Sequence, residues 1–419
     1  MTFAVVIFGL ALAAIASERV DRTKVALLGA ALVVVSQTIS QEEAIEAVDF
    51  NTLGLLAGMM LMVKLTETTG VYSWMAIRAG QLSRGRPLAV VVALSVTTAV
   101  LSAFLDNLTT ILLMVPITFL LADALDIDPL PLVIIEVIAS NIGGTATLIG
   151  DPPNIIIAGE TGLTFGEFIA NLAPIAAVTF VVVTGALYLF YRPQLQTAPE
   201  ARKRVMELDA ARSIEDPDEL RRTMPILVGT ILVFFVHKAL GLEPATVALA
   251  GATVMLLVTR QSLEKALAGI EWPTLFFFMG LFVMVGALEH TGAIKEVADG
   301  IADLTAGDRS AELIGILWSS AIGSGVVDNI PFTTTMVPVV EQLQAGQGGG
   351  DDAYWWALSL GACFGGNATL IAAAANVAAA GMAARAGSPI GFVQFLKVGL
   401  PATVLSLALA TAYVAFRYL

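Results

Sequence analysis

Val25 to Ala30 reads VALLGA, and VALAGA returns at Val247 to Ala252, 222 residues later. The same offset pairs ETTG at Glu67 with EHTG at Glu289. It also pairs DNLTTILLMVP at Asp106 with DNIPFTTTMVP at Asp328, and GGTATLIGDPPNIIIAG at Gly143 with GGNATLIAAAANVAAAG at Gly365. Four matches at one offset that share Asp, Asn, Glu, Pro and paired Gly do not arise from apolar composition alone. The chain is a tandem duplication, and whatever one half folds into the other must repeat.

What is repeated is a set of membrane-spanning segments. The 419 residues are 57% hydrophobic and 14% charged, and apolar stretches recur from end to end. The first half predicts helices over residues 2 to 16, 24 to 40 and 51 to 66, then an amphipathic stretch from Tyr72 to Ser83. Two apolar arms follow (87 to 105 and 108 to 122), then a long interrupted segment (131 to 158) and a last helix (167 to 191). The second half repeats this near 225 to 240, 244 to 259, 273 to 288, 310 to 327, 330 to 343, 355 to 381 and 392 to 416. The opening segment ends in ALAAIAS like a secretory signal. With no Lys or Arg before it and a counterpart in the second half, it reads as a membrane helix.

The basic residues set the orientation. With the N-terminus outside, the inner side receives eighteen Lys and Arg, including Arg22, Lys64 and Lys397. The outer side receives four: Lys238, Lys295, Arg309 and Arg417. Both termini then lie outside a cell inner membrane, and an odd number of crossings per half makes the two copies inverted. The domains expected are an N-terminal inverted repeat (1-191), a charged cytoplasmic linker (192-223) and a C-terminal inverted repeat (224-419). The fold class is all-α, polytopic, with two re-entrant hairpins and two broken helices.

Gly-Gly and Pro-Pro interrupt the long segment, and freed backbone groups at membrane depth must face protein or a water-filled cavity. Hairpin tips at Asp106-Asn107 and Asp328-Asn329, meeting the two broken segments, would form an ion and substrate site. The candidate binding residues are Asp106, Asn107, Thr109, Asn141, Gly143, Gly144, Thr145, Thr147, Asp151 and Asn154 in the first half. Those in the second are Asp328, Asn329, Thr333, Gly365, Gly366, Asn367, Thr369 and Asn376. An ionised carboxylate is costly inside a membrane, so at Asp106, Asp328, Asp151 or Glu136 proton binding would compete with substrate or ion. Asp106, Asn107, Asp328 and Asn329 form a candidate Na⁺ site. Blander roles stand beside these: helix capping for Asp106 and Asp328, backbone satisfaction for the Asn and Thr residues, close packing for the paired Gly. Glu136 is a proton relay or the partner of a helix-end base. Lys64 snorkels to the cytoplasmic surface, and Cys363 is a small core residue.

In SNIGGTATLIGDPPNIII, DNLTT, DNIPFTTTMVP and GGNATLIAAAANV the chain resembles the ion transporter superfamily, in the branch of arsenite efflux permeases, NhaD-type sodium/proton antiporters and the melanosomal P protein. The resemblance covers nearly the whole chain. It implies ten transmembrane helices plus two re-entrant hairpins, a homodimer, and a transport part moving against a scaffold. An energising ATPase subunit is a further partner to expect. Dicarboxylate carriers of the superfamily have Ser-Asn-Thr at the tips where this chain has Asp-Asn-Leu-Thr and Asp-Asn-Ile-Pro, and such carboxylates would repel a dicarboxylate. The activity expected is proton-coupled export of a small inorganic solute, arsenite or antimonite first, with sodium/proton antiport second and an ion channel as the rival class. One cysteine and two histidines leave no metal cluster. No nucleophile-base set or phosphate loop marks an enzyme. The coupling ion would be H⁺ or Na⁺, with no resident cofactor, and nothing points to nucleic acid.

Overall fold

The computed structural model describes residues 1-17, 19-346, 350 and 352-419, and among these the chain is helical with no strand. The first half holds α1 (Thr2–Ala16), α2 (Arg22–Val35), α3 (Gln41–Glu46), α4 (Phe50–Glu67) and α5 (Val71–Leu82). It continues with α6 (Pro87–Phe104), α7 (Asn107–Leu125), α8 (Leu130–Gly144), α9 (Pro152–Thr161) and α10 (Phe165–Tyr191). The link carries α11 (Pro199–Glu207). The second half comprises α12 (Pro217–Phe234), α13 (Pro244–Val258), α14 (Leu263–Leu267), α15 (Trp272–His290) and α16 (Ala293–Thr305). It ends with α17 (Arg309–Val327), α18 (Asn329–Gly346), α19 (Ala353–Gly365), α20 (Ala374–Arg385) and α21 (Phe392–Tyr418).

Local chemistry sets the boundaries. Side chains of Asp21, Asp49, Asp106 and Thr164 cap α2, α4, α7 and α10 by accepting from first-turn amides. The ETTG and EHTG repeats are the turns that start α5 and α16. Gly70 and Gly292 both sit at φ 79°, a left-handed conformation that costs glycine nothing. The short helices α3, α11 and α14 are too brief to show as apolar periods.

The packing shows the inversion directly. Gly54 lies against Ala245 and Leu249, and Gly58 against Ala248, so α4 and α13 run parallel. Gly280 lies against Ala26, and Gly29 against Met284, so α2 and α15 also run parallel. These are the same pair twice, since α13 repeats α2 and α15 repeats α4. Between the two copies α4 and α15 the direction reverses, with Ala47 beside Gly286 and Lys64 beside Gly269. The duplicated halves are therefore inverted in space.

The two ends of this arrangement are not alike. At one end Gly159 of α9 presses on Asp49 and Thr52 of α4, and Thr52 Oγ1 lies 3.4 Å from the carbonyl of Ile155. At the other end Gly381 of α20, the equivalent of Gly159, meets only its own helix. The vestibules agree. The one bounded by Asp49, Glu160, Glu289 and Glu341 encloses about 90 Å³, and its pseudo-symmetric counterpart beside Lys64, Glu67 and Glu271 about 270 Å³. The structure is pinched on the first side and open on the second.

Candidate functional site

Both arms of the first hairpin, α6 and α7, are long and apolar enough to cross a membrane, as is α17 of the second. Their tips nonetheless lie inside the protein. Paired glycines bring this about. A Cβ on Gly143 would fall 2.3 Å from the carbonyl oxygen of Ala99 on α6, and one on Gly365 2.6 Å from that of Ala321 on α17. Gly144 is equally tight against Gly150. These residues let the hairpins approach the broken helices, which is the packing role.

Each broken segment is clamped by an asparagine one turn into the next helix. Asn154 Nδ2 donates to the carbonyls of Thr145 (3.1 Å) and Thr147 (2.8 Å), and Asn376 Nδ2 to those of Gly366 (2.7 Å) and Thr369 (2.8 Å). The threonines bind the chain from within. Thr145 Oγ1 donates to the Asn141 carbonyl, Thr147 to that of Ala103, Thr333 to that of Asn329 and Thr369 to that of Gly325. In lipid these bonds satisfy backbone that no water could reach.

At the centre stands Asp151, fully buried. Its Oδ1 accepts from Asn107 Nδ2 at 3.3 Å and from Asn329 Nδ2 at 3.0 Å, one asparagine from each hairpin. Asn107 Nδ2 also reaches Asn141 Oδ1 (3.2 Å), and Asn141 Nδ2 donates to Asn367 (2.9 Å) and Asn376 (3.0 Å). Among the described residues two buried atoms of this network lack a well-formed hydrogen bond: Asp151 Oδ2, an acceptor with the Cys363 thiol near its carboxylate, and Asn367 Nδ2, a donor. Ser359 Oγ and Cys363 Sγ donate to Asn154 Oδ1 beside it.

Asp106 and Asp328 make no hydrogen bond to this centre, although both carboxylates lie close enough to repel a charge on Asp151. Asp106 accepts from the amide (2.8 Å) and hydroxyl of Thr109. Asp328 accepts from the Ile330 amide (3.0 Å) and from Arg22 Nη1 (3.0 Å). The four residues proposed as a Na⁺ set are thus split, because an N-cap carboxylate folds back over its own first turn while the following Asn points across the tip. Glu136 is buried on α8, accepting from Thr118 Oγ1 at 2.6 Å with Oε1 unpartnered. Among the described residues it has no helix-end base. Arg22 was the residue sequence reasoning missed. It lines a cavity of about 460 Å³ with Asp21, Leu108, Asp328 and Ala374, and its guanidinium lies 5.2 Å from the Phe277 ring. The available signal was its asymmetry, since the equivalent position is Pro244.

Comparison with known proteins agrees with this architecture. Residues 12–361 match the family model described as CitMHS, citrate transporter. An uncharacterized transporter of Mycobacterium tuberculosis is 42% identical over 421 residues, covering 99% of this chain and 98% of that one. The human P protein is 33% identical over 497 residues, covering 99% of this chain and 59% of its own length. Among solved structures, the YdaH transporter of Alcanivorax borkumensis, described as having an unusual topology, superposes with a TM-score of 0.60. It is 16% identical, with 89% of this chain and 86% of that one covered.

Proposed function

The chain belongs to the CitMHS citrate transporter family, and from that premise we propose that it is a proton-coupled secondary transporter in which Asp151 carries the coupling proton. One observation carries the reading. Asp151 is a buried carboxylate whose Oδ1 gathers both hairpin asparagines while Oδ2 lacks a well-formed hydrogen bond, with only the neutral Cys363 thiol near the group, and among the described residues no Lys or Arg pairs with it. A buried charge left without compensation is strongly unfavourable, so a bound proton or cation supplies the balance. Releasing it would weaken the meeting of the two tips, which links charge to geometry. The pinched and open vestibules suit alternating access and argue against a continuous pore.

For the cargo, a free buried acceptor and a free buried donor suit a small neutral hydroxylated solute, such as arsenite or antimonite in its trihydroxide form. Citrate, named in the family description, would bring carboxylates toward Asp106, Asp151 and Asp328, with Arg22 already engaged. Sodium/proton antiport is the second reading, favoured by the open coordination of Asp151 Oδ2. By the basic-residue count the open side is cytoplasmic and both termini are outside the inner membrane. A homodimer and an energising ATPase subunit belong to this proposal. In proteoliposomes with an imposed pH gradient, arsenite or Na⁺ flux is expected from the parent. Asp151→Asn should abolish pH-driven flux while leaving a folded protein. Equal pH-driven flux in Asp151→Asn, or no flux of either solute in the parent, defeats the respective half of the proposal.

A further inference from the structure

Phe165, Phe168 and Pro174 of α10 recur as Phe392, Phe395 and Pro401 of α21, each 227 residues on, so the link before α21 is five residues longer than its counterpart. This register lets the two ends of the α10–α21 pair be compared position by position. At one end α21 folds onto α10. Tyr413 OH donates to the Asn171 carbonyl at 2.6 Å, and Arg417 Nη2 to Asn171 Oδ1 at 2.9 Å, with the guanidinium over the Tyr413 ring. At the other end the equivalents of Tyr413, Arg417 and Asn171 are Ala186, Phe190 and Val398, which cannot repeat those bonds. Ala402 stands where the first end has the larger, buried Ile175. What results is an apolar groove of about 230 Å³, floored by Val183, Leu187, Val398 and Ala402, with Lys397 on its rim.

Lys397 replaces Ala170, and among the described residues it makes no hydrogen bond or ion pair. It lies within a helix long and apolar enough to span a membrane. Lys397 is exposed in the second turn of α21, at the cytoplasmic surface by the basic-residue count, and a basic group there at the mouth of an apolar groove between membrane helices matches an anionic lipid headgroup. We propose that this groove holds an acyl chain of an anionic phospholipid whose phosphate pairs with Lys397. The site is independent of the transport centre.

The test is native mass spectrometry of the detergent-purified full chain with added phosphatidylglycerol or phosphatidylcholine of matched acyl chains. The parent should retain phosphatidylglycerol over phosphatidylcholine by about fivefold, the effect of one basic residue at a membrane surface. Lys397→Ala should erase the preference, and Ala402→Ile, which fills the groove as its counterpart does, should reduce retention of both lipids. Equal retention of the two lipids by the parent, or an undiminished preference in Lys397→Ala, overturns the headgroup assignment. Unchanged retention in a monodisperse Ala402→Ile sample overturns the groove.

Discussion

Arg22 and Asp328 meet at 3.0 Å across 306 residues of chain, joining the start of α2 to the tip of the second hairpin. The first hairpin has no such tie, because Pro244 stands in the place of Arg22 and Asp106 is satisfied by Thr109. Only one tip is thus anchored to the parallel helix pairs. Arg22→Gln leaves the buried Asp328 carboxylate short of its counter-charge, at a cost of about 2 kcal/mol given that Arg22 is partly exposed. Thermal unfolding in detergent should show that loss. Adding Asp328→Asn should recover part of it, whereas additive losses in the double variant would mean the pair is not coupled.

Asp106 offers a contrast. If its role is capping, Asp106→Asn should transport as the parent does, since Asn and Asp serve equally at helix starts. Asp106→Ala should lose about 1 kcal/mol of stability. Flux and melting measured on the same preparations check both, and a dead but stable Asp106→Asn would return Asp106 to the coupling machinery.

The pinched side can be locked. Gly159 already abuts Asp49, whereas the equivalent Gly381 does not approach Glu271. A cysteine pair made by Asp49→Cys and Gly159→Cys should oxidise readily, stop transport and release it on reduction. A pair made by Glu271→Cys and Gly381→Cys should cross-link far more slowly until the protein changes state. Equal cross-linking of both pairs in the resting protein would contradict the asymmetry.

Gly143 has no room for a side chain against the backbone of Ala99. Gly143→Ala should cost about 1–3 kcal/mol by overpacking and displace the first tip from Asp151. Gly185 of α10, where an added Cβ meets nothing within 4 Å and φ is not positive, serves as the control for a harmless site of change. Comparable stability of Gly143→Ala and the parent would show that the α6–α8 contact yields easily.

Much of this was legible from the 222-residue repeat, which sets two Asp-Asn tips against two broken helices, and from the Lys and Arg distribution, which makes the halves inverted. The sequence also marked Asn107, Asn329, Asn141 and Asp151 as candidates. It could not show that Asp106 and Asn107, adjacent in the chain, turn in opposite directions. That depends on which residue becomes the cap and which the first helical position. Nor could it reveal that Asp151, which the second half replaces by Ala373, is the one carboxylate shared by both tips. Pairings such as Arg22 with Asp328 lie beyond any local pattern. Among the threonines and glycines the sequence could not separate ligand groups from backbone supports, because both uses favour the same small residues at helix breaks.

The parallel pairs α2 with α15 and α4 with α13 also constrain the order of biosynthesis. Each pairs a helix of one half with a helix of the other, so α2 and α4 enter the bilayer with the faces around Gly29 and Gly58 unfilled. At ~5–20 residues per second, the roughly 200 residues that separate them from their partners represent tens of seconds on the ribosome. During that interval the nascent first half is a membrane-inserted fragment with open seams, exposed to chaperones, proteases and mispairing with neighbouring chains. Co-expressed halves should therefore reassemble into one transporter, while either half made alone should be degraded.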